Sequence, residues 1–322
     1  MNKNNILPIV IILNFVITSL TFVLGCLMYT SNSRSVQKNL TYVEMTGFIS
    51  NVEYGLHFGK SLDSYYGMED MMQDVVDTSS SIKRMYIVNS SNSIVFKTSE
   101  EVPENSVLSL SDGSSKVAGN ELYCSFLLPE STRLIVVSEI SEKVAEWRKY
   151  YGFLAIVAFL GFAATTGLMT LIWRSVSDRK RAYGIIIAIL VCFTVFISSF
   201  VGYGAYSEYN KSLNLMYGTI ENAVDSDISK VHEAGVLDEN IIDIEGYLQR
   251  YADNIPEIES VERGPDGACD FTVSSPYIFR VRIDYVLQTL LLLAFSAIIL
   301  AEYQIFMSST KSAGAEGEND GR

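Results

Sequence analysis

Apolar positions fall in four long blocks along this chain, at residues 6–29, 151–173, 183–203 and 285–306. At 1.5 Å rise per residue, about 20 apolar residues cross about 30 Å of hydrocarbon. Helices apolar on every side would otherwise need a core deep enough to bury every face. The four blocks are therefore read as transmembrane helices. Residues 174–182, between the second and third blocks, hold Arg174, Arg179, Lys180 and Arg181. Basic residues beside membrane spans stay on the cytoplasmic side. That places this loop, the N-terminus (1–5) and the tail (307–322) inside, and residues 30–150 and 204–284 outside.

Within the first outer segment the pattern changes from helical to alternating. Val36, Leu40, Val43 and Gly47, and Met45, Ile49, Val52 and Leu56, keep helical spacing beyond the first span. Gly55 and Gly59 mark the end of that helix. Met68, Met71, Met72, Val75 and Val76 form the stripe of a shorter helix, with the methionines as core filler. Residues 82–88 and 94–96, around the turn Asn89-Ser-Ser-Asn92, read as a hairpin. Residues 101–119 read as a loop, 122–128 and 134–137 as strands, and the chain from Glu139 as the helix leading into the second span. The order is that of one compact α+β unit.

The second outer segment repeats this order in shortened form. His57 and His232 are 175 positions apart, as are Leu62-Asp63 and Leu237-Asp238, while Ile82 and Ile258 are 176 apart. Cys124-Ser-Phe126 then matches Cys269-Asp-Phe271 at 145, so the second copy lacks about 30 residues, assigned to the first hairpin and its loop. It retains a long helix carrying Leu213, Tyr217, Ile220, Val224 and Val231, a short helix at 241–251, a strand at 258–261, the tight turn Gly264-Pro-Asp-Gly267 and a strand at 277–283. A copy stripped of its central hairpin is a candidate to pack on the first.

The stretch Leu56-His-Phe-Gly-Lys-Ser-Leu-Asp-Ser-Tyr-Tyr-Gly-Met68, with the following helix and hairpin, resembles the Cache domains, the PAS-like extracytoplasmic sensor modules of bacterial membrane receptors. The resemblance covers most of residues 30–148 and, more weakly, 206–283. It implies a sheet with a ligand cavity on one face, flanked by a long helix leaving the membrane, and helices that shift when ligand binds. Two departures stand out: the turn at 89–92 lacks the usual Asp-Gly, and no output module follows inside the cell. The expected fold is thus an α+β membrane protein with four transmembrane helices and two extracytoplasmic PAS/Cache-like domains, the second shortened.

A net charge of −13, concentrated in the outer segments, disfavours nucleic acid and anionic surfaces. Cys26 and Cys192 lie in spans; Cys124 and Cys269 lie outside, where they are either bonded to each other or buried as free thiols. Val23-Leu-Gly-Cys26 resembles a loose lipoprotein cleavage box, but the apolar run is longer than a signal core and continues past Cys26. Two histidines at equivalent positions, His57 and His232, fit a duplicated structural role. The acids Asp63, Glu69, Asp70, Asp74, Asp77, Asp238, Glu239, Asp243 and Glu245 lack the calcium-loop spacing. Asn39, Asn89 and Asn210 head glycosylation triplets. The spans carry no charge at their centres; Gly161, Ala164 and Thr165, and the pair Ala163 and Gly167, are small enough for close helix contact.

No catalytic residue, ligand-binding residue, metal ligand or cofactor is assigned. The expected partners are the lipid bilayer, a small molecule at the first outer domain and a separate membrane or cytoplasmic protein; homodimerisation stays open. The first reading is a multi-pass sensor of the plasma membrane, non-enzymatic, that passes an external signal through its helices. The second is an accessory subunit of a transporter or envelope complex. A membrane enzyme finds no catalytic constellation, and a truncated receptor is the remaining alternative.

Overall fold

The computed structural model describes residues 6–57, 62, 65–129, 131–233, 235, 244–264 and 268–274, with scattered positions between 286 and 301. The elements are α1 (Ile6–His57), α2 (Met68–Thr78), β1 (Ile82–Val88), β2 (Ile94–Lys97), α3 (Asn105–Leu108), β3 (Ser115–Ala118), β4 (Glu121–Leu128), β5 (Thr132–Glu139), α4 (Ser141–Ser175), α5 (Arg179–Glu233), α6 (Ile244–Asn254), β6 (Ile258–Arg263) and β7 (Cys269–Val273). The chain is α+β. It divides into two units, one of Met1–Tyr29, Lys149–Glu208 and Pro276–Arg322, the other of Thr30–Arg148 and Tyr209–Ser275.

The first unit holds the apolar parts of α1, α4 and α5, three helices long and apolar enough to cross a membrane. Val10, Leu13 and Ile17 of α1 pack with Met169 and Trp173 of α4 and Ala182, Ile186 and Leu190 of α5. Ile12, Phe15, Phe159, Leu171 and Phe196 are exposed, an apolar surface suited to hydrocarbon. Gly25 and Gly161 permit close approach: a Cβ would lie 2.5 Å from Val201 Cγ1 at Gly25 and 2.9 Å from the Phe193 ring at Gly161. Thr165 accepts a hydrogen bond from Asn14 Nδ2 at 2.9 Å. Ala163, Ala164 and Gly167 are instead exposed, so this small-residue face meets no helix among the described residues. The fourth block, 285–306, falls largely outside the described residues.

In the second unit a five-stranded antiparallel sheet has the order β2-β1-β5-β4-β3. Period-2 burial gives it two faces. One carries Met85, Leu134, Val136, Cys124 and Phe126. It lies against α1, where the Tyr42 ring meets Phe126 at 5.6 Å and the Thr41 hydroxyl bonds that of Ser138 at 3.3 Å. The other face carries Tyr86, Val88, Ile135 and Val137, packed with Val107 and Leu108 of α3. The stretch read as a loop, 101–119, therefore contains α3 and β3. A single helical turn and a four-residue edge strand of mixed polarity carry little periodic signal; Gly113 and Gly119, both at positive φ, bracket the strand.

The α6–β6 stretch follows the α2–β1 stretch at one constant spacing. The eleven-residue helices α2 and α6 begin at 68 and 244, and β1 and β6 at 82 and 258. Met72 and Leu248 are both buried, as are Ile82 and Ile258, and Met85 and Val261. The Tyr42–Phe126 ring contact recurs as Tyr217–Phe271, at 4.8 Å. The strand adjacency differs. β7, which the 145-residue offset matches to β4, pairs directly with β6, whereas β5 separates β1 from β4. β7 itself was not expected as a strand, because Asp270 and Thr272 dilute its alternation. The strand expected at 277–283 lies outside the described residues.

Candidate functional site

The two parts of the second unit, Thr30–Arg148 and Tyr209–Ser275, meet along a seam whose centre is a buried carboxylate. Glu257, just before β6, is 1 % exposed and the one charged residue among the buried side chains of the described residues. Its Oε2 accepts Asn39 Nδ2 at 2.8 Å, and its Oε1 accepts the Ser35 hydroxyl at 3.4 Å. Asn39 falls on the inward stripe of α1, next to Val36 and Val43, and is itself 1 % exposed. That position answers the glycosylation triplet: this asparagine is a core residue. Asn89 caps its own turn, its Oδ1 accepting the Ser91 and Ser93 amides at 3.0 Å each.

Two neutral donors hold the anion, and no ion pair reaches Glu257 among the described residues. A buried carboxylate depends on every hydrogen bond it has. Burial and the Glu257 charge push the Tyr217 hydroxyl up to about 12, and that hydroxyl has no hydrogen-bond partner among the described residues. Further along the seam Arg250 Nη1 donates to the Ser50 hydroxyl at 2.6 Å. Tyr247 donates to Asp227 Oδ2 at 2.8 Å and shares a 3.2 Å bond with Tyr251.

Beside this seam runs an open cleft of about 530 Å³. One flank of α1 forms its floor through Asn39, Tyr42, Thr46, Ile49 and Glu53. Gly113 and the β4 residues Phe126 and Leu127 form one wall; Arg250, Asp253 and Asn254 at the end of α6 form the other. Lys38, whose Nζ donates to the Gly113 carbonyl at 3.1 Å, and Arg250 face the acids Glu53, Asp112 and Asp253. Burial, then Glu53 and Tyr251, push the Tyr42 hydroxyl up to about 12, so it is a donor throughout the ordinary pH range. The cleft can recognise charge and hydrogen-bonding groups; nothing in it forms a nucleophile–base pair.

The opposite face of the sheet is filled by the chain itself. Arg84 holds Glu101 and Glu121, and Arg133 holds the Leu108 and Leu110 carbonyls and Asn92. These contacts tie the 98–114 stretch over Tyr86, Val88 and Val137.

The residues singled out in the sequence do not form this site. His57 and His232 lie at or next to the ends of α1 and α5 and are exposed. Glu69, Asp70, Asp74 and Asp77 are exposed on α2, and Glu245 on α6, while Asp63, Asp238, Glu239 and Asp243 lie outside the described residues. No cluster of three metal-ligating side chains occurs among the described residues. None of the four cysteines is in a disulfide, and Cys124 and Cys269 are buried; burial pushes the Cys124 thiol up to about 12. Glu257 carries no motif, and the glycosylation triplet at Asn39 does not point to this contact. The one further signal is the polarity of Asn39 at a position where the helical stripe calls for an apolar residue; Glu257 sits in the turn before β6 and gives none. Searches of protein-family models, curated proteins and solved structures found no match to this chain.

Proposed function

We propose that this chain is a multi-pass protein of the plasma (inner) membrane, a non-enzymatic sensor that binds a small molecule outside and passes the signal through its helices to a separate protein. In this reading the fourth apolar block also spans the membrane, both termini and the basic loop are cytoplasmic, and the outer unit is a pair of Cache-like modules. The observation that carries it is helix continuity. α1, α4 and α5 each run from an apolar stretch into an outer stretch without a linker. A helix that lacks a break carries a displacement along its length, so a ligand that favours one packing of the outer helices biases the spans. The sheet with α1 laid along one face agrees with the Cache resemblance, and the charged cleft beside the seam is the best candidate for the ligand.

The accessory-subunit reading draws on a different observation. The sheet face away from α1, where an enclosed ligand cavity would be sought, is filled by the protein's own tied-down stretch. In that case the outer unit binds protein. The test is the melting temperature of the full chain in lipid nanodiscs against amino acids, small carboxylates, sugars, nucleosides and divalent ions. A ligand at a hundredfold excess over its Kd adds about 2.7 kcal/mol to the stability of the form it binds. A shift confined to one compound class supports the sensor. No shift, with a membrane protein co-purifying in stoichiometric amount, supports the accessory subunit.

A further inference from the structure

The cleft beside the seam has one wall that is, among the described residues, an unfinished sheet edge. Ser125 of β4 donates its amide to the Ser114 carbonyl at 3.1 Å and accepts the Gly113 amide at 2.9 Å. In an antiparallel ladder, residues two apart direct their amide and carbonyl to the same side. The backbone of Leu127 therefore faces the same way as that of Ser125. At that point the chain before β3 has already turned away, through the Ser114 amide to Ser111 carbonyl bond. β3 pairs with β4 only over Glu121–Cys124, and Leu127 lies beyond it, its side chain 56 % exposed. An open edge of this kind is a template for another strand.

The surroundings restrict what fits. The opposite wall is α6, so the edge opens into a groove and not onto bulk solvent. The floor offers Tyr42, Thr46 and Ile49, an aromatic, a hydroxyl and an apolar side chain on one flank of α1. The charged groups stand apart: Lys38 and Glu53 are about 22 Å apart along α1, at 1.5 Å per residue. Asp112 lines the cleft beside Gly113, the residue Lys38 bonds, and Asp253 lies one helical turn from Arg250. A compact metabolite engages one of these groups or the other. An extended polar chain with charges of both signs engages both.

We propose that this cleft binds an extended peptide segment by strand addition to β4. The segment's backbone pairs with the Leu127 amide and carbonyl. Alternate side chains rest on the Tyr42–Thr46–Ile49 flank, and acidic and basic side chains pair with Lys38 or Arg250 and with Asp112, Glu53 or Asp253. Strand addition of this type draws affinity from the main chain and specificity from alternate side chains. The inference rests on the reading of the outer unit as a binding module. It applies whether the segment is a free peptide or an exposed stretch of a partner protein.

The test is selection of a phage-displayed random heptapeptide library on the full chain in nanodiscs, with empty nanodiscs as the control. Enriched sequences are then measured as free synthetic peptides by fluorescence anisotropy, and again within a loop of a folded carrier protein. The Leu127 amide lies outside the β4–β5 ladder, so Leu127→Pro removes the pairing donor without breaking that ladder. The expected result is enrichment of peptides carrying both charge signs. Their Kd rises at least tenfold in Leu127→Pro and less than threefold in Leu127→Ala, with Cys124 still unreactive in both as proof of folding. Arg250→Glu shifts the selected sequences toward basic residues. Binding by the free peptide identifies a peptide signal; binding only within the carrier loop identifies a partner segment. No enrichment over empty nanodiscs, or equal binding by Leu127→Pro, overturns the inference. A small-molecule melting shift without peptide enrichment overturns it while leaving the sensor reading intact.

Discussion

At the residue scale, the hydrogen bond between Asn39 and Glu257 is a fully buried polar contact between the two parts of the second unit, 30–148 and 209–275. An amide and a carboxylate meet at 2.8 Å with both side chains 1 % exposed. Asn39→Asp sets two carboxylates against each other and is expected to destabilise the protein by about 3 kcal/mol, in the range for breaking a buried charged contact. Glu257→Gln keeps an acceptor for Asn39 and is expected to stay within about 1 kcal/mol of the parent, as for a neutral hydrogen bond replacing a charged one. The double variant Asn39→Asp/Glu257→Gln restores one acid and one amide and is expected to recover most of the loss, a coupling that a thermodynamic cycle measures directly. Equal losses in all three variants would show that the contact is incidental. The thiols supply an independent check: Cys124 and Cys269 are expected to resist a membrane-impermeant maleimide until the outer unit unfolds.

The pH dependence follows from the same burial. The Cys124 thiol and the Tyr42 and Tyr217 hydroxyls are each raised to about 12, from 9.0 for the thiol and 10.0 for the phenols. Above pH 9 the unfolded chain releases these protons first, so it binds fewer protons than the folded one and stability falls as pH rises. These groups contribute their full stabilisation below about pH 9 and lose it progressively toward pH 12. A melting temperature that instead rises between pH 9 and pH 11 would contradict the burial of these groups.

At the scale of elements, the periodic stretches were legible in the sequence and the aperiodic ones were not. The long helices and α2 are revealed by apolar blocks and stripes and β4 by alternation, while β1 and β5, buried on both faces, are revealed as short apolar runs bounded by turn residues. α3 and β3 are each four residues long, too short to show a period, so their formation depends on the sheet face and edge they meet. The equal spacing of α2 and β1 with α6 and β6 was legible in the offset of Ile82 and Ile258, both of which are buried. The place of β7 was not, because a match of Cys-x-Phe preserves the contact of an aromatic ring with its helix while saying nothing of which strand lies alongside. The cleft was illegible for a related reason: its residues come from α1, β4 and α6, which only folding brings together. Gly55 gives an element-scale prediction. A Cβ there would lie 2.3 Å from the Tyr65 hydroxyl and 2.7 Å from its ring. Tyr65 is 7 % exposed and its ring must leave that buried position to admit a Cβ, so Gly55→Ala is expected to destabilise by about 1–2 kcal/mol despite the better helix propensity of alanine. A thermal melt that improves instead would show that the tyrosine moves aside.

At the scale of the whole molecule, two units share three uninterrupted helices, and the sensor reading depends on whether the state of one is felt in the other. The protein's two tryptophans suit the question. Trp147 belongs to the outer unit and donates to the Ser33 hydroxyl at 2.8 Å; Trp173 is buried among Val10, Leu13 and Ile186 in the apolar unit. Both lie on α4. In the Trp147→Phe variant Trp173 becomes the sole tryptophan. The measurement is its emission in nanodiscs, with and without Asn39→Asp, while maleimide labelling of Cys269 reports the state of the seam. The account predicts that opening the seam, seen as a reactive Cys269, changes the emission or quenching of Trp173. A reactive Cys269 beside an unchanged Trp173 would contradict transmission along the helices and leave the outer unit as a binding module alone.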